Sequence, residues 1–131
     1  MCGIIGKVGV GNVFPELLKG LDALEYRGYD SAGVAGIIDN KILRFRQEGR
    51  ISNLESEIKK GNPESFIGIG HTRWATHGSP TKENAHPHIS NEGKFALVHN
   101  GIIENAEELK KSFLDGKVRL SSQTDTEIVV Q

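Results

Sequence analysis

Short apolar runs broken by glycine dominate the chain: CGIIGKVG at the start, GVAGIID and KILRFRQEG next, then SFIGIGHTRW and KFALVHNG. Runs of this length, bounded by turn-forming residues, have the pattern of strands. The 16 glycines cluster in these motifs and form no flexible tract. The first run reads as a short buried strand. Asp39-Asn40 separates the second and third runs and reads as a tight hairpin. YRGYDSAG breaks the pattern as a turn or loop.

Helical stretches lie between the strands. Asn12 is placed as N-cap for a helix to about Leu24. Pro15 falls in its first turn, where a missing N–H does no harm. Val13, Leu17, Leu18, Leu21 and Leu24 then share one face. Ser52 and Glu55 have capping-box spacing for a helix to about Lys60, closed by Gly61-Asn62-Pro63. Asn105 and Glu108 repeat the spacing for a helix to about Leu114. GKVRLSS reads as a further short strand and TDTEIVVQ as the start of a helix. This order predicts an α+β domain with a largely antiparallel sheet and helices on one face.

Composition closes off several function classes. At 131 residues the chain is at most one domain. A formal net charge of −1 gives no electrostatic case for nucleic acid or a membrane surface. No apolar run approaches the ~18–20 residues that span a bilayer. No basic region precedes a long apolar stretch, so no signal peptide is expected. One cysteine cannot form an internal disulfide, and a reducing cytoplasm is the expected compartment.

That cysteine is Cys2, and two readings fit it. A free cysteine is commonly a small buried hydrophobe. Its position supports a nucleophile instead. Once Met1 is removed, the α-amine of Cys2 lies beside its own thiol. Such an amine has a pKa of about 7.7–8.0 and accepts a proton near neutrality. Gly3 and Gly6 would let backbone approach a reacting group. Acyl chemistry also needs donors for an oxyanion. Asn100 and Gly101, in LVHNG, offer a side-chain amide and a backbone N–H, although NG is also a common hairpin turn. Arg27 in EYRGYDSAG is either a solvated charge or a clamp on a chain end or a developing negative charge. Arg73, next to Trp74, suits a carboxylate. Asp125 suits an ammonium or caps a helix. Together they would recognise an amino acid.

All five histidines lie between His71 and His99. On a strand, His86 and His88 would point the same way. A zinc site needs further ligands, for which His71, His77 and His99 are the candidates, but no HExxH or CxxC pattern supports one. No metal or other cofactor is expected.

Taken together, MCGIIG, LEYRGYDSAGVA, GIGHTRWATHGSPTKENAHPH, VHNGIIEN and TDTE resemble the glutaminase domain of class II glutamine amidotransferases. These belong to the N-terminal nucleophile hydrolases. YRGYDSAG with HTRWATHG is similar to the branch that aminates fructose 6-phosphate and differs from amidophosphoribosyltransferase at those motifs. The resemblance implies a four-layer α/β/β/α sandwich with antiparallel sheets. It implies that Cys2 attacks the side-chain amide of glutamine, with Asn100 and Gly101 stabilising the oxyanion. Arg27 would organise the nucleophile's surroundings. Arg73 and Asp125 would grip the α-carboxylate and α-amine, with Trp74, Thr76 and His77 nearby, in a loop that closes over glutamine. No role follows for His86 and His99 beyond structural hydrogen bonding.

Ammonia would pass to a separate isomerase domain that makes glucosamine 6-phosphate, in a full-length enzyme expected to be a homo-oligomer. The family's glutaminase domain is longer than this chain. Residues 1–131 are therefore expected to be its N-terminal portion, with the isomerase domain absent. The alternatives are an inactive or partner-dependent fragment, or a class II amidotransferase with another acceptor.

Overall fold

The structure, a computed structural model, describes residues 1–75 and 78–131. Strand β1 is Gly3–Val8, β2 Ser31–Ile38, β3 Lys41–Glu48 and β4 Ile67–Arg73. They form one antiparallel sheet in the order β1-β4-β2-β3. Asp39 and Asn40, with φ of 49° and 61°, make the two-residue hairpin between β2 and β3. Positive φ at both positions matches the right-handed twist of the strands they join.

Helices α1 (Phe14–Ala23) and α2 (Ile51–Gly61) cover one face of this sheet. Leu17, Leu21, Leu54 and Val34 are fully buried between the layers. Each such side chain contributes about 1.5–3 kcal/mol of transfer free energy. Asn12 does not cap α1 as expected: Val13, one residue later, occupies the N-cap. Asn12 accepts from Phe14 N at 3.3 Å and Ser65 N at 3.2 Å, tying the start of α1 to the approach to β4. Ser52 does not cap α2: Arg50 is the N-cap, and Ser52 lies inside the helix. The helix closes at Asn62 in the left-handed conformation.

Strand β1 is half-buried, unlike the fully buried strand its apolar run suggested. Its side chains alternate, so Ile4 and Val8 stay exposed while Ile5 packs on the core. A Cβ on Gly3 would meet Leu24 at 2.6 Å, and at Gly6 the nearest atom would be 4.0 Å away.

The opposite face of the sheet receives the polar segment. Strands β5 (His88–Ile89) and β6 (Ala96–Leu97) pair antiparallel as a second, two-stranded sheet. Helix α4 (Asp125–Val130) packs against both strands. The layers therefore run helix, sheet, sheet, helix. Close packing fixes the first sheet to the second: a Cβ at Gly33 would lie 2.0 Å from the carbonyl oxygen of His86. Arg46 reinforces it, donating to the carbonyls of Glu83 and Ala85 at 2.8 and 2.9 Å.

Helix α3 (Ala106–Leu109) continues as a π-helical stretch over Lys110–Leu114. Asn105 occupies its N-cap without a side-chain hydrogen bond. KFALVHNG pairs only at Ala96 and Leu97, because β5 offers only two residues opposite it. GKVRLSS is not a strand. Its two serines instead wrap the carboxylate of Glu127, satisfying in a turn the groups a ladder would have used. Among the described residues, no helix is long and apolar enough to cross a membrane.

Candidate active site

β1 and β4 run side by side, which brings the start of the chain to the end of the fourth strand. Gly3 pairs with Thr72 and donates to its Oγ1 at 3.0 Å. Cys2 therefore sits against Trp74, 72 residues away in sequence. Trp74 N donates to Cys2 Sγ at 3.2 Å, and Sγ donates to Trp74 O at 3.5 Å. The thiol is half-buried and held by main chain on both sides. The Trp74 side chain is exposed but touches the loop before β2: a Cβ at Gly28, where φ is 77°, would lie 3.1 Å from its ring.

Asn100 approaches from the other side. Its Nδ2 donates to the carbonyl of Cys2 at 3.2 Å. Its Oδ1 lies 2.7 Å from His71 Nε2 on β4. Cys2, Arg73, Trp74, Gly101 and Asp125 line one cavity of about 240 Å³, with His86, His99 and Thr126. A larger groove of about 500 Å³ between α1 and α2 gathers no comparable set of convergent groups.

Arg73 is 3% exposed and donates to Ser79 O at 3.1 Å. It lies 3.9 Å from Asp30, whose other carboxylate oxygen accepts from Ala75 N at 2.6 Å. Asp30 thus anchors both the arginine and the loop that follows it. Asp125 opens α4. Its Oδ2 accepts from Ile103 N at 2.7 Å and its Oδ1 from Thr126 N at 2.9 Å. Arg27 ends a 3₁₀ turn, Glu25–Arg27. Its carbonyl and that of Gly28 accept from the Met1 ammonium at 3.2 and 3.4 Å, and its guanidinium reaches Met1 Sδ at 3.6 Å. With Met1 in place, the Cys2 nitrogen is a peptide amide and cannot serve as a base. Thr76 and His77 lie outside the described residues.

The histidines build the floor. His71 stacks on His86 with centroids 4.1 Å apart, and His86 meets His88 at 4.7 Å. Burial lowers the pKa of His71 to about 4, of His88 to about 4 and of His86 to about 2. All three rings are therefore neutral at pH 7. His86 Nδ1 accepts from His99 N at 3.4 Å, and His88 Nε2 meets Thr124 Oγ1 at 2.8 Å. Among the described residues, no group of three His, Cys, Asp or Glu is placed to hold a metal ion.

Glu127, which the sequence did not single out, organises the turn before α4. Burial alone would raise its pKa, but hydrogen bonds outweigh that and hold the carboxylate below its usual range. Ser121 N, Ser122 N and both serine hydroxyls donate to it, at 2.5–2.9 Å. Asp30 was also unmarked, and His71 was considered only as a zinc ligand. Their function depends on distant partners, and no local motif announces it.

A half-buried cysteine at the end of an edge strand, an amide donor at its carbonyl, and a cavity lined by both an arginine and an aspartate are the kinds of group that acyl transfer on an amino-acid side chain calls for. Residues 56–131 match the family described as the glutamine amidotransferase domain. The chain belongs to the glutamine amidotransferase family. It is 54% identical over all 131 residues to glutamine–fructose-6-phosphate aminotransferase (isomerizing) of Staphylococcus aureus strain N315. The same enzyme of Staphylococcus epidermidis strain ATCC 12228 is also 54% identical. The chain spans 22% of the length of these relatives.

The fold is similar to that of glutamine phosphoribosylpyrophosphate amidotransferase from B. subtilis, at TM-score 0.78 and 27% identity over 98% of this chain and 28% of that one. It also matches the allosteric regulatory enzyme of purine biosynthesis, at TM-score 0.80 and 26% identity, with the same coverage. The architecture is thus the α+β fold of the N-terminal nucleophile amidotransferases, as the motifs implied.

Proposed function

We propose that this chain is the N-terminal portion of a type 2 glutaminase domain, one that hydrolyses the side-chain amide of glutamine. The observation that carries the reading is the meeting of Cys2 and Asn100, with Arg73 and Asp125 lining the same cavity. After Met1 is removed, the Cys2 amine takes the thiol proton. The thiolate attacks the amide carbon, and negative charge builds on the amide oxygen. The Asn100 Nδ2 and the Gly101 N–H donate to that oxygen. The C–N bond breaks, and the nitrogen leaves as ammonia with the proton the amine held. Water then cleaves the γ-glutamyl thioester, releasing glutamate and restoring the thiol.

Arg73 takes the α-carboxylate and Asp125 the α-ammonium. Trp74, Thr76 and His77 belong to the segment over the substrate, and Arg27 holds the start of the chain. In the longer protein, ammonia passes to an isomerase domain and aminates fructose 6-phosphate to glucosamine 6-phosphate. The identity to the aminotransferases supports that acceptor.

The test is covalent labelling of the Met-processed chain with an electrophilic glutamine analogue, read by intact-protein mass spectrometry. We expect one adduct on Cys2, absent in Cys2→Ala and in chain that keeps Met1. Folded, processed chain that takes no adduct would show that these residues do not form a glutaminase without further protein.

A further inference from the structure

We propose that His71 is a positioning residue: a neutral imidazole protonated on Nε2, it fixes the Asn100 amide with its NH₂ end toward Cys2. The inference rests on the reading of Asn100 as an oxyanion donor. The two ends of an asparagine amide have nearly the same shape, so partners decide which end faces the nucleophile. Here partners are present at both ends. Nδ2 donates to the carbonyl of Cys2 at 3.2 Å, and Oδ1 lies 2.7 Å from His71 Nε2. A flipped amide would aim its oxygen at a developing oxyanion, turning a stabilising dipole into a repelling one.

The tautomer follows from the neighbours. His71 Nε2 also lies 3.2 Å from the carbonyl oxygen of His99. Both of its partners are acceptors, so Nε2 must donate. His71 Nδ1 is buried and has no hydrogen-bond partner among the described residues. A proton there would be an unmade donor in a dry site, so the Nε2–H form is the one the surroundings permit. The ring is 1% exposed and clamped by its stack on His86, so it holds one orientation. Burial, the largest influence on its pKa, keeps it uncharged at neutral pH.

Two measurements on the Met-processed full chain test this. In nitrogen-15 NMR, His71 should show the Nε2–H tautomer across neutral pH; the Nδ1–H tautomer would overturn the proposal without reference to activity. In glutaminase kinetics, Asn100→Ala should lower kcat by about 10²–10³-fold. His71→Leu should lower kcat by about 10–100-fold, the usual scale for a supporting partner, with KM within about twofold. His71→Gln, which keeps a donor near Nε2, should recover most of that loss. The double variant should be no slower than Asn100→Ala alone. Losses that multiply would mean that His71 acts through packing, and the proposal would fall. Wild-type turnover in Asn100→Ala would instead overturn the reading of Asn100, while the spectrum still decides the tautomer.

Discussion

Single residues set the limits of this fold. Gly33 is the clearest case. Its register on β2 faces His71, and the His86 carbonyl occupies the space a side chain would need. Gly33→Ala should destabilise the chain by about 1–3 kcal/mol, because backbone on both sides must shift to admit one methyl. Urea denaturation measures it; an unchanged midpoint would mean that the two sheets are not in contact there. Cys2 shows a different dependence. Its side chain is already in place, yet the chemistry depends on whether its nitrogen is an amide or an amine. Removal of Met1 alone makes that change.

At the scale of elements, α4 is short, and its start is built from outside the helix. Thr124 caps it, accepting from Glu127 N at 3.4 Å, and His88 holds Thr124. Glu127 reaches back to bind four donors of Ser121 and Ser122. Glu127→Gln replaces one acceptor oxygen with an NH₂ that faces donors. It should cost about 1–3 kcal/mol, the penalty for buried polar groups left unpaired. A thermal melt of the variant checks this. Because Asp125 lies next to this turn, the labelling of Cys2 by a glutamine analogue should slow as well. A melt unchanged from wild type would show that the serine turn does not depend on the carboxylate.

For the molecule as a whole, the interface between the two sheets is made of neutral histidines. His71, His86 and His88 have folded-state pKa values well below the ordinary 6.5. In acid the unfolded chain therefore binds protons that the folded chain refuses. The stability they contribute is fully present above pH 6.5 and is lost as pH falls from there toward about 4. The slope should reach up to about 1.4 kcal/mol per pH unit for each histidine. Folding free energies from urea titrations at pH 7, 6 and 5 test this above the range where most carboxylates titrate. A flat profile over that span would falsify the buried-cluster account.

Sequence alone determined the local elements and the chemistry at their ends. Apolar runs broken by glycine gave β1 to β4, Asp39-Asn40 gave the hairpin, and the leucine spacing gave α1. The motifs implied the family and named Cys2, Asn100, Arg73 and Asp125 as one group. These features are legible because strand, helix and turn preferences depend on neighbours a few residues away. The tertiary structure decided what needed a distant partner. It removed GKVRLSS as a strand, cut KFALVHNG to two paired residues, and moved the caps of α1 and α2. It also brought Cys2 to Asn100 across 98 residues and set His71 behind that amide. A strand exists only where a ladder partner lies beside it, and a histidine tautomer only where its neighbours accept or donate. Neither partner is specified by the local stretch that contains the residue.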